Sequence, residues 1–402
     1  MQENKNLRKD VDTIINKLVL DINPYDSVCK NISNLKLNSG KNILISIGKA
    51  SWSMAKAITD NLTIDKGVVI TKYGYSNGDI KNTKVFEAGH PIVDENSIKA
   101  SEYVLDVTSN LNKDDNVILC LSGGGSALFE KPLISLEKLA KLNDELIKSG
   151  ANITEINTIR KRLSGVKGGK FALHCAPAKI SAIILSDVVG DNLSAIASGP
   201  VSVDNSNSED ALNIINKYSI NIDDEIKDLL YKDTVKQINN VDNYIVGSVK
   251  KLCGYTRNAL QDLGYEVEII KDDCTLDVNE IADKFNKLAS NIEHHKAYII
   301  GGESVVKVTG TGMGGRNSHL ALLCSKFIDD EDTCVFAFGS DGSDGPTDAA
   351  GGYVDINTKN IINVDEFLKN FDSYNGLLKT NGLIKTGPTG SNINDVYVLL
   401  RR

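Results

Sequence analysis

The stretch "GTGMGGRN", Gly310–Asn317, sets four glycines directly before an arginine and an asparagine. A glycine-rich turn that opens a helix presents bare backbone N–H groups to an anion. A guanidinium beside it adds a fork of donors matched to phosphate or carboxylate. Gly312, Gly314, Gly315 and Asn317 are therefore read as an anion cradle with Arg316 as its charge; a tight turn with a surface arginine is the plain alternative. Gly310, Gly312 and Gly315 also spell a dinucleotide fingerprint, which needs an acid about 20 residues on, at the end of the next strand, to hold the ribose. Asp329, Asp330, Glu331 and Asp332 stand near that distance but precede the apolar run "CVFAF". The fingerprint fails in register.

Other stretches carry related chemistry. In "LSGGGSAL", Ser122, Gly123, Gly124, Gly125 and Ser126 combine three bare N–H groups with two hydroxyls after an apolar run, a second anion cradle. No G-x-S-x-G occurs, and "GVKGGK" lacks P-loop spacing. Lys49 in "SIGKAS" follows a strand-like run, where its ammonium can serve a phosphoryl oxygen as a point charge or simply lie in solvent. Acids also follow strand-like runs: Asp187 and Asp191 in "LSDVVGDNLSAIASGP", and Asp341, Asp344 and Asp348 in "GSDGSDGPTD". Carboxylates near phosphate loops are the oxygen ligands that Mg²⁺ takes, although aspartates often only cap helices or form turns. Asp187, Asp191 and Asp341 are the candidate metal ligands. Arg160, Lys161, Arg162, Lys167 and Lys170 form a local basic cluster, either a site for an anionic substrate or a solvated helix face. Arg160 is its candidate binding residue.

These loops need a scaffold, and the chain is long enough for one with two cores: 402 residues. A net charge of -8 and a single tryptophan argue against a nucleic-acid or membrane-surface binder. Seven scattered cysteines without C-x-x-C, and histidines without H-E-x-x-H, exclude a structural zinc pattern and suit a reducing setting. No run approaches membrane length and the first residues lack a signal-peptide core, so a cytoplasmic protein is expected. Short apolar runs ending in glycine or aspartate alternate with helix-length segments, which marks parallel α/β architecture with ligands beyond the strands' carboxyl ends. Polar stretches between Asp204 and Asn243 suggest two α/β domains, residues 1–240 and 241–402. A homodimer is left open.

Nine stretches from about residue 45 to 396 resemble, in order, the glycerate 2-kinase family, whose second half is the MOFRL domain. They are "GKAS", "AGHPIVDENS", "LSGGGSAL", "NTIRKRLSGVKGGKFA", "LSDVVGDNLSAIASGP", "GGES", "GTGMGGRNSHLAL", "GSDGSDGPTDAAGG" and "KTGPTGSNINDVYV". The resemblance implies two Rossmann-like three-layer α/β domains with the active site in a cleft between them. It implies transfer of the γ-phosphoryl of ATP to the 2-hydroxyl of D-glycerate, giving 2-phosphoglycerate and ADP, with Mg²⁺. Lys49 and Arg316 occupy positions proposed as catalytic in that family. The family pattern has a histidine where Arg162 stands, an asparagine at Val249, Gln-Glu at Ser318-His319 and an apolar residue at Ser343. Those departures leave the acceptor open between D-glycerate and a closely related 2-hydroxy acid, such as a longer sugar acid. The alternatives are an NAD(P)H-dependent hydroxypyruvate reductase and a non-catalytic anion-binding relative.

Overall fold

Runs such as "ILISI" and "VILCLS" are buried along their length, which only a strand covered on both faces requires. In a computed structural model describing residues 4–402, such runs build two six-stranded sheets in two separate units.

One unit holds residues 24–186 and 191–246. Its strands are β1 (Asn42–Ile47), β2 (Lys66–Lys72), β3 (Thr83–Ala88), β4 (Asn116–Leu121), β5 (Lys179–Leu185) and β6 (Val241–Gly247), in the order β3-β2-β1-β4-β5-β6. The pairs β1–β2, β2–β3, β1–β4 and β4–β5 are parallel. The order reverses between β1 and β4, and in such sheets a crevice opens outside the carboxyl ends of the strands at that point. Lys49 follows β1 and the Ser122–Ser126 turn follows β4. The topology alone brings these two loops together.

The other unit gathers residues up to Asn23, 187–190 and 247–402. Its strands are β7 (Glu266–Cys274), β8 (Lys296–Gly302), β9 (Thr333–Gly339), β10 (Gly351–Val354), β11 (Leu383–Ile384) and β12 (Asp395–Arg401), ordered β11-β10-β9-β12-β8-β7. In this unit the α/β sheet mixes strand directions. β7 and β8 are parallel, but β12 lies antiparallel between β8 and β9, and β10 is antiparallel to β9 and β11. A central strand reads as a continuous apolar run in either direction, so hydrophobicity could not reveal this. The consequence for chemistry is direct. Asp395, the first residue of β12, pairs with Gly302 and Gly339 at the ends of β8 and β9. The N-terminal helix, Asn4–Asp21, is tied to this unit by Arg8, which donates to the carbonyls of Asn381 and Leu383, and by Asp10, which accepts from the Tyr265 hydroxyl.

Candidate active site

At the β1–β4 switch point the turns interlock through backbone. Gly48 has φ +122°, and a Cβ there would fall 2.2 Å from Ser122 Oγ. Ser122 Oγ accepts from the Ala50 N–H at 3.1 Å and donates to the Ile47 carbonyl at 3.4 Å, while the Lys49 N–H donates to the Gly123 carbonyl at 2.8 Å. Ser122, read as a phosphate-binding hydroxyl, is instead buried and ties the two turns together. Gly123 serves the same tie. The interlock fixes the start of the Lys49 side chain, and among the described residues no hydrogen bond or ion pair holds its ammonium.

Gly124, at φ +90°, is where side chains converge. A Cβ there would lie 3.0 Å from His90 Cδ2 and 3.5 Å from Lys49 Cγ. Burial lowers the His90 pKa, and the charges of Lys49 and Lys72 lower it further, so the imidazole is neutral at pH 7. Gly125 has no room for a side chain because Ala197 would stand 2.7 Å from its Cβ. Ser126 Oγ and Ser198 Oγ lie 2.9 Å apart, and Ser198 donates on to Asn157. Gly124, Ser126 and Arg160 line one cavity of about 530 Å³ with His90 and Glu130.

The basic cluster does not act as one patch. Lys161 lies 3.8 Å from Asp204, Lys167 pairs with Glu130 at 2.9 Å and donates to the Phe129 carbonyl, and Lys170 donates to the carbonyls of Lys161 and Ser164. Arg162 Nη1 donates to the carbonyls of Leu230 and Lys232, and Nη2 to that of Ser206. An unpaired buried cation costs several kcal/mol, which is why each has its own acceptor. Arg160 is the member that faces the cavity: Nε donates to Asn143 Oδ1 at 2.9 Å, and its terminal nitrogens meet no acceptor among the described residues.

In the other unit Arg316 opens the helix Arg316–Cys324 and is gripped by carboxylates. Its Nε and Nη2 donate to Asp395 Oδ2 and Oδ1 at 2.6 and 3.3 Å, and Nη1 donates to Glu303 Oε1 at 2.8 Å. Burial opposes its charge, but Asp395 and Glu303 raise its pKa further, so it stays protonated. Asp395 also accepts from the Tyr397 hydroxyl at 3.2 Å. Glu303 and Asp395 were not singled out from the sequence, although "GGES" and "NINDVYV" contain them. Their signal was position: each sits where a strand meets the loop edge on which Arg316 stands.

The glycine turn before Arg316 differs from its first reading. The N–H groups of Asn317 and Ser318 donate to Asp344 at 2.9 and 2.7 Å, that of Gly315 to Ser318 Oγ, that of Met313 to Asp372, and that of Gly312 to the Asn370 carbonyl. A Cβ on Gly315 would sit 2.3 Å from Asp344 Oδ1, and one on Gly314 2.2 Å from Ser373 Oγ. The anion at this helix start is the chain's own Asp344, so Gly312, Gly315 and Asn317 do not present free N–H groups and the cradle reading is corrected. Burial raises the Asp344 pKa against the hydrogen bonds that lower it.

The acids predicted for metal also separate by role. Asp341 Oδ1 accepts from the Ser343 N–H, a turn contact. Asp187 has contacts of its own, its carbonyl accepting from Asn394. Asp191 keeps a buried Oδ1 without a hydrogen-bond partner. Among the described residues, no group of three His, Cys, Asp or Glu side chains is placed to hold a metal ion.

Comparison with known proteins gives the family. Residues 10–231 match a domain of unknown function (DUF4147), and residues 296–395 match the MOFRL family. A D-glycerate 2-kinase of Thermotoga maritima is 42% identical, with 99% of each chain covered. The chain belongs to the glycerate 2-kinase family. A glycerate 2-kinase of Pyrococcus horikoshii is 40% identical over 90% of this chain and 87% of its own. The crystal structure of a Thermotoga maritima glycerate kinase superposes with a TM-score of 0.95 at 43% identity, covering 99% of this chain and all of the other.

Within the family frame, four of the five departures in sequence lie in packed positions, while Ser343 is exposed. Arg162, Val249, Ser318 and His319 are all buried. Val249 packs beneath Gly301, Ser318 bonds Ser373, and the His319 ring stacks on Phe371 at 4.8 Å. For these four, burial among internal partners argues against direct contact with the acceptor. Arg162→His should leave the ranking of hydroxy-acid acceptors unchanged while lowering thermal stability by about 2 kcal/mol, through lost charge-assisted bonds to carbonyls. Comparing kcat/KM across an acceptor panel, and the unfolding midpoint, checks both parts; a reordered panel would restore Arg162 to acceptor selection.

Proposed function

We propose that this protein is an ATP-dependent glycerate 2-kinase acting on D-glycerate. The observation that carries the reading is the near-complete coverage of both chains in the match to a D-glycerate 2-kinase. The site chemistry agrees with it. Phosphoryl transfer depends on positioning and on neutralising charge, and it needs no covalent nucleophile. The 2-hydroxyl oxygen of glycerate attacks the γ-phosphorus, the bond from phosphorus to the β–γ bridging oxygen breaks, and the hydroxyl proton is released as ADP leaves. Lys49 offers an unengaged ammonium to the transferred group. Arg316 offers a guanidinium whose orientation is set by Asp395 and Glu303. Against the reductase alternative, Asp329–Asp332 lie before β9, and Asp330 accepts from the Asp332 N–H and the Thr333 hydroxyl, so the glycine fingerprint has no ribose-binding acid in register.

Mg²⁺ is proposed as the accompanying ion. It is bound through one or two carboxylates together with substrate phosphates, so a dedicated cage of acids is not required. The unpartnered Asp191 Oδ1 fits that requirement. Bound there with nucleotide, the ion would supply charge neutralisation at the phosphates. Among the described residues no helix is long and apolar enough to cross a membrane.

The test is to incubate the protein with Mg-ATP and a panel of hydroxy acids, following ADP release, and to repeat with NADH and hydroxypyruvate. ADP release with D-glycerate and formation of 2-phosphoglycerate are expected. NADH oxidation without ADP release would overturn the reading.

A further inference from the structure

The cavity beside Gly124 has two unlike sides. One is aliphatic: Leu136, Leu139, Ala140 and Ile147 project from a single helix, Leu136–Lys148, and Ile92 and Val93 come from the loop after β3. Their spacing on the helix, i, i+3, i+4 and i+11, keeps them on one face. Ile92 and Ile147 remain 74% and 60% exposed, although each borders this apolar wall. The other side is polar and incompletely satisfied. Glu130 is 2% exposed; one of its carboxylate oxygens pairs with Lys167, and the other, Oε1, is buried with no hydrogen-bond partner. Arg160 stands nearby with its terminal nitrogens unengaged, and Asn143 and Asp144 complete the rim, the latter paired with Lys148.

A kinase of this kind has two substrates, and the cavity discriminates between them. Glycerate is small and polar throughout, so it has no face to bury against six aliphatic side chains. A purine has two broad faces that gain from such a wall, and a volume of about 530 Å³ is in the range of cofactor-sized sites. The orphaned Glu130 oxygen adds a polar requirement to that wall. A buried carboxylate oxygen needs a donor and repels another anion. A phosphate or a carboxylate supplies no donor, whereas the base amino group, a ribose hydroxyl or a glycerate hydroxyl does, so Glu130 calls for a donor and the aliphatic wall decides which substrate brings it. Where the cavity reaches Gly124, it meets His90 and the Lys49 stem, the end suited to phosphates.

We infer that this cavity seats the nucleoside of ATP, its base against the Leu136–Ile147 helix face, a nucleoside donor on Glu130, and its phosphates directed toward Lys49. The assignment rests on the kinase reading and adds to it which substrate this unit holds. Ala140 is exposed and its side chain is not needed for the core, so Ala140→Trp fills the cavity without breaking the fold. Titrating ADP calorimetrically into the full-length protein, the variant should bind about tenfold or more weakly, because the added ring occupies the space of the base. In steady-state assays its KM for ATP should rise in parallel while that for D-glycerate stays the same. Ile147→Asn, also at an exposed position, should weaken ADP severalfold in the same direction and guards against a local artefact of the tryptophan. Unchanged ADP affinity in both variants would overturn the assignment, and so would a rise confined to the KM for D-glycerate. Wild-type protein that binds ADP but releases none from ATP with any hydroxy acid would sink the kinase reading alone, since the calorimetric comparison does not depend on turnover.

Discussion

Lys49→Met is expected to lower kcat by about a hundredfold or more, the loss that follows removal of one positioned transition-state charge contact. The backbone around Lys49 is fixed by the Gly123 carbonyl and by the Ser122 bond to Ala50, so the substitution removes the charge without moving the turn. Methionine keeps most of the aliphatic stem that lies against Gly124. The ammonium is not committed to any internal partner among the described residues, so its removal should leave the unfolding midpoint unchanged. That pairing of a large kinetic effect with a small stability effect distinguishes a residue acting on substrate from one holding the fold. The measurement is single-enzyme turnover by ADP release at saturating ATP and D-glycerate, with thermal unfolding on the same sample. Turnover near the wild-type value would remove Lys49 from the mechanism. Lys49→Arg should recover only part of the rate, because a planar fork does not replace a compact ammonium in a turn this tight.

What was legible in the sequence is local: which loops follow a buried strand. Lys49 and the Ser122–Ser126 turn each follow a buried apolar run, and a parallel sheet places such loops at one edge without further information. What could not be read was which groups already have partners. Arg160 and Arg162 are two residues apart on one helix, yet one faces a cavity and the other lies among the carbonyls of Leu230, Lys232 and Ser206. Those acceptors lie 44 to 70 residues further along the chain, beyond the reach of spacing arguments. The glycine turn before Arg316 shows the same limit. An anion was expected at the helix start and one is present, but it is Asp344, supplied by a loop 28 residues later in the chain. Asp395 was hidden for a topological reason. Had β12 run parallel to its neighbours, its first residue would lie at the far edge of the sheet; being antiparallel, it delivers Asp395 to the edge where Arg316 stands.

That placement makes Asp395 a positioning residue, and Asp395→Asn is expected to lower kcat by about ten- to a hundredfold by loosening the orientation of Arg316. The wild-type carboxylate receives two guanidinium nitrogens, and asparagine offers one acceptor oxygen and no charge. Arg316 would then be held chiefly by Glu303, which is exposed and binds a different nitrogen. A structural role alone could also slow the enzyme, so the pH profile is the deciding readout. Burial pushes the Asp395 pKa up to about 6; Arg316 pulls it down against that, while Asp344 and Glu303 add to the rise. The folded-state pKa therefore lies above that of the unfolded chain. For a carboxyl group this sign means that folding is opposed by its ionisation above pH 6, and that protonation relieves the cost as the pH falls through that value. Activity should move the other way. Below pH 6 the neutral carboxyl loses its grip on Arg316, giving kcat an acid limb centred near 6. In the asparagine variant that limb should disappear, and its thermal stability should no longer fall as the pH rises from 5 to 7 by the share that Asp395 contributes. An acid limb kept at the same pH in the variant would assign the titration to another group, and an unchanged kcat would show that Glu303 alone orients Arg316.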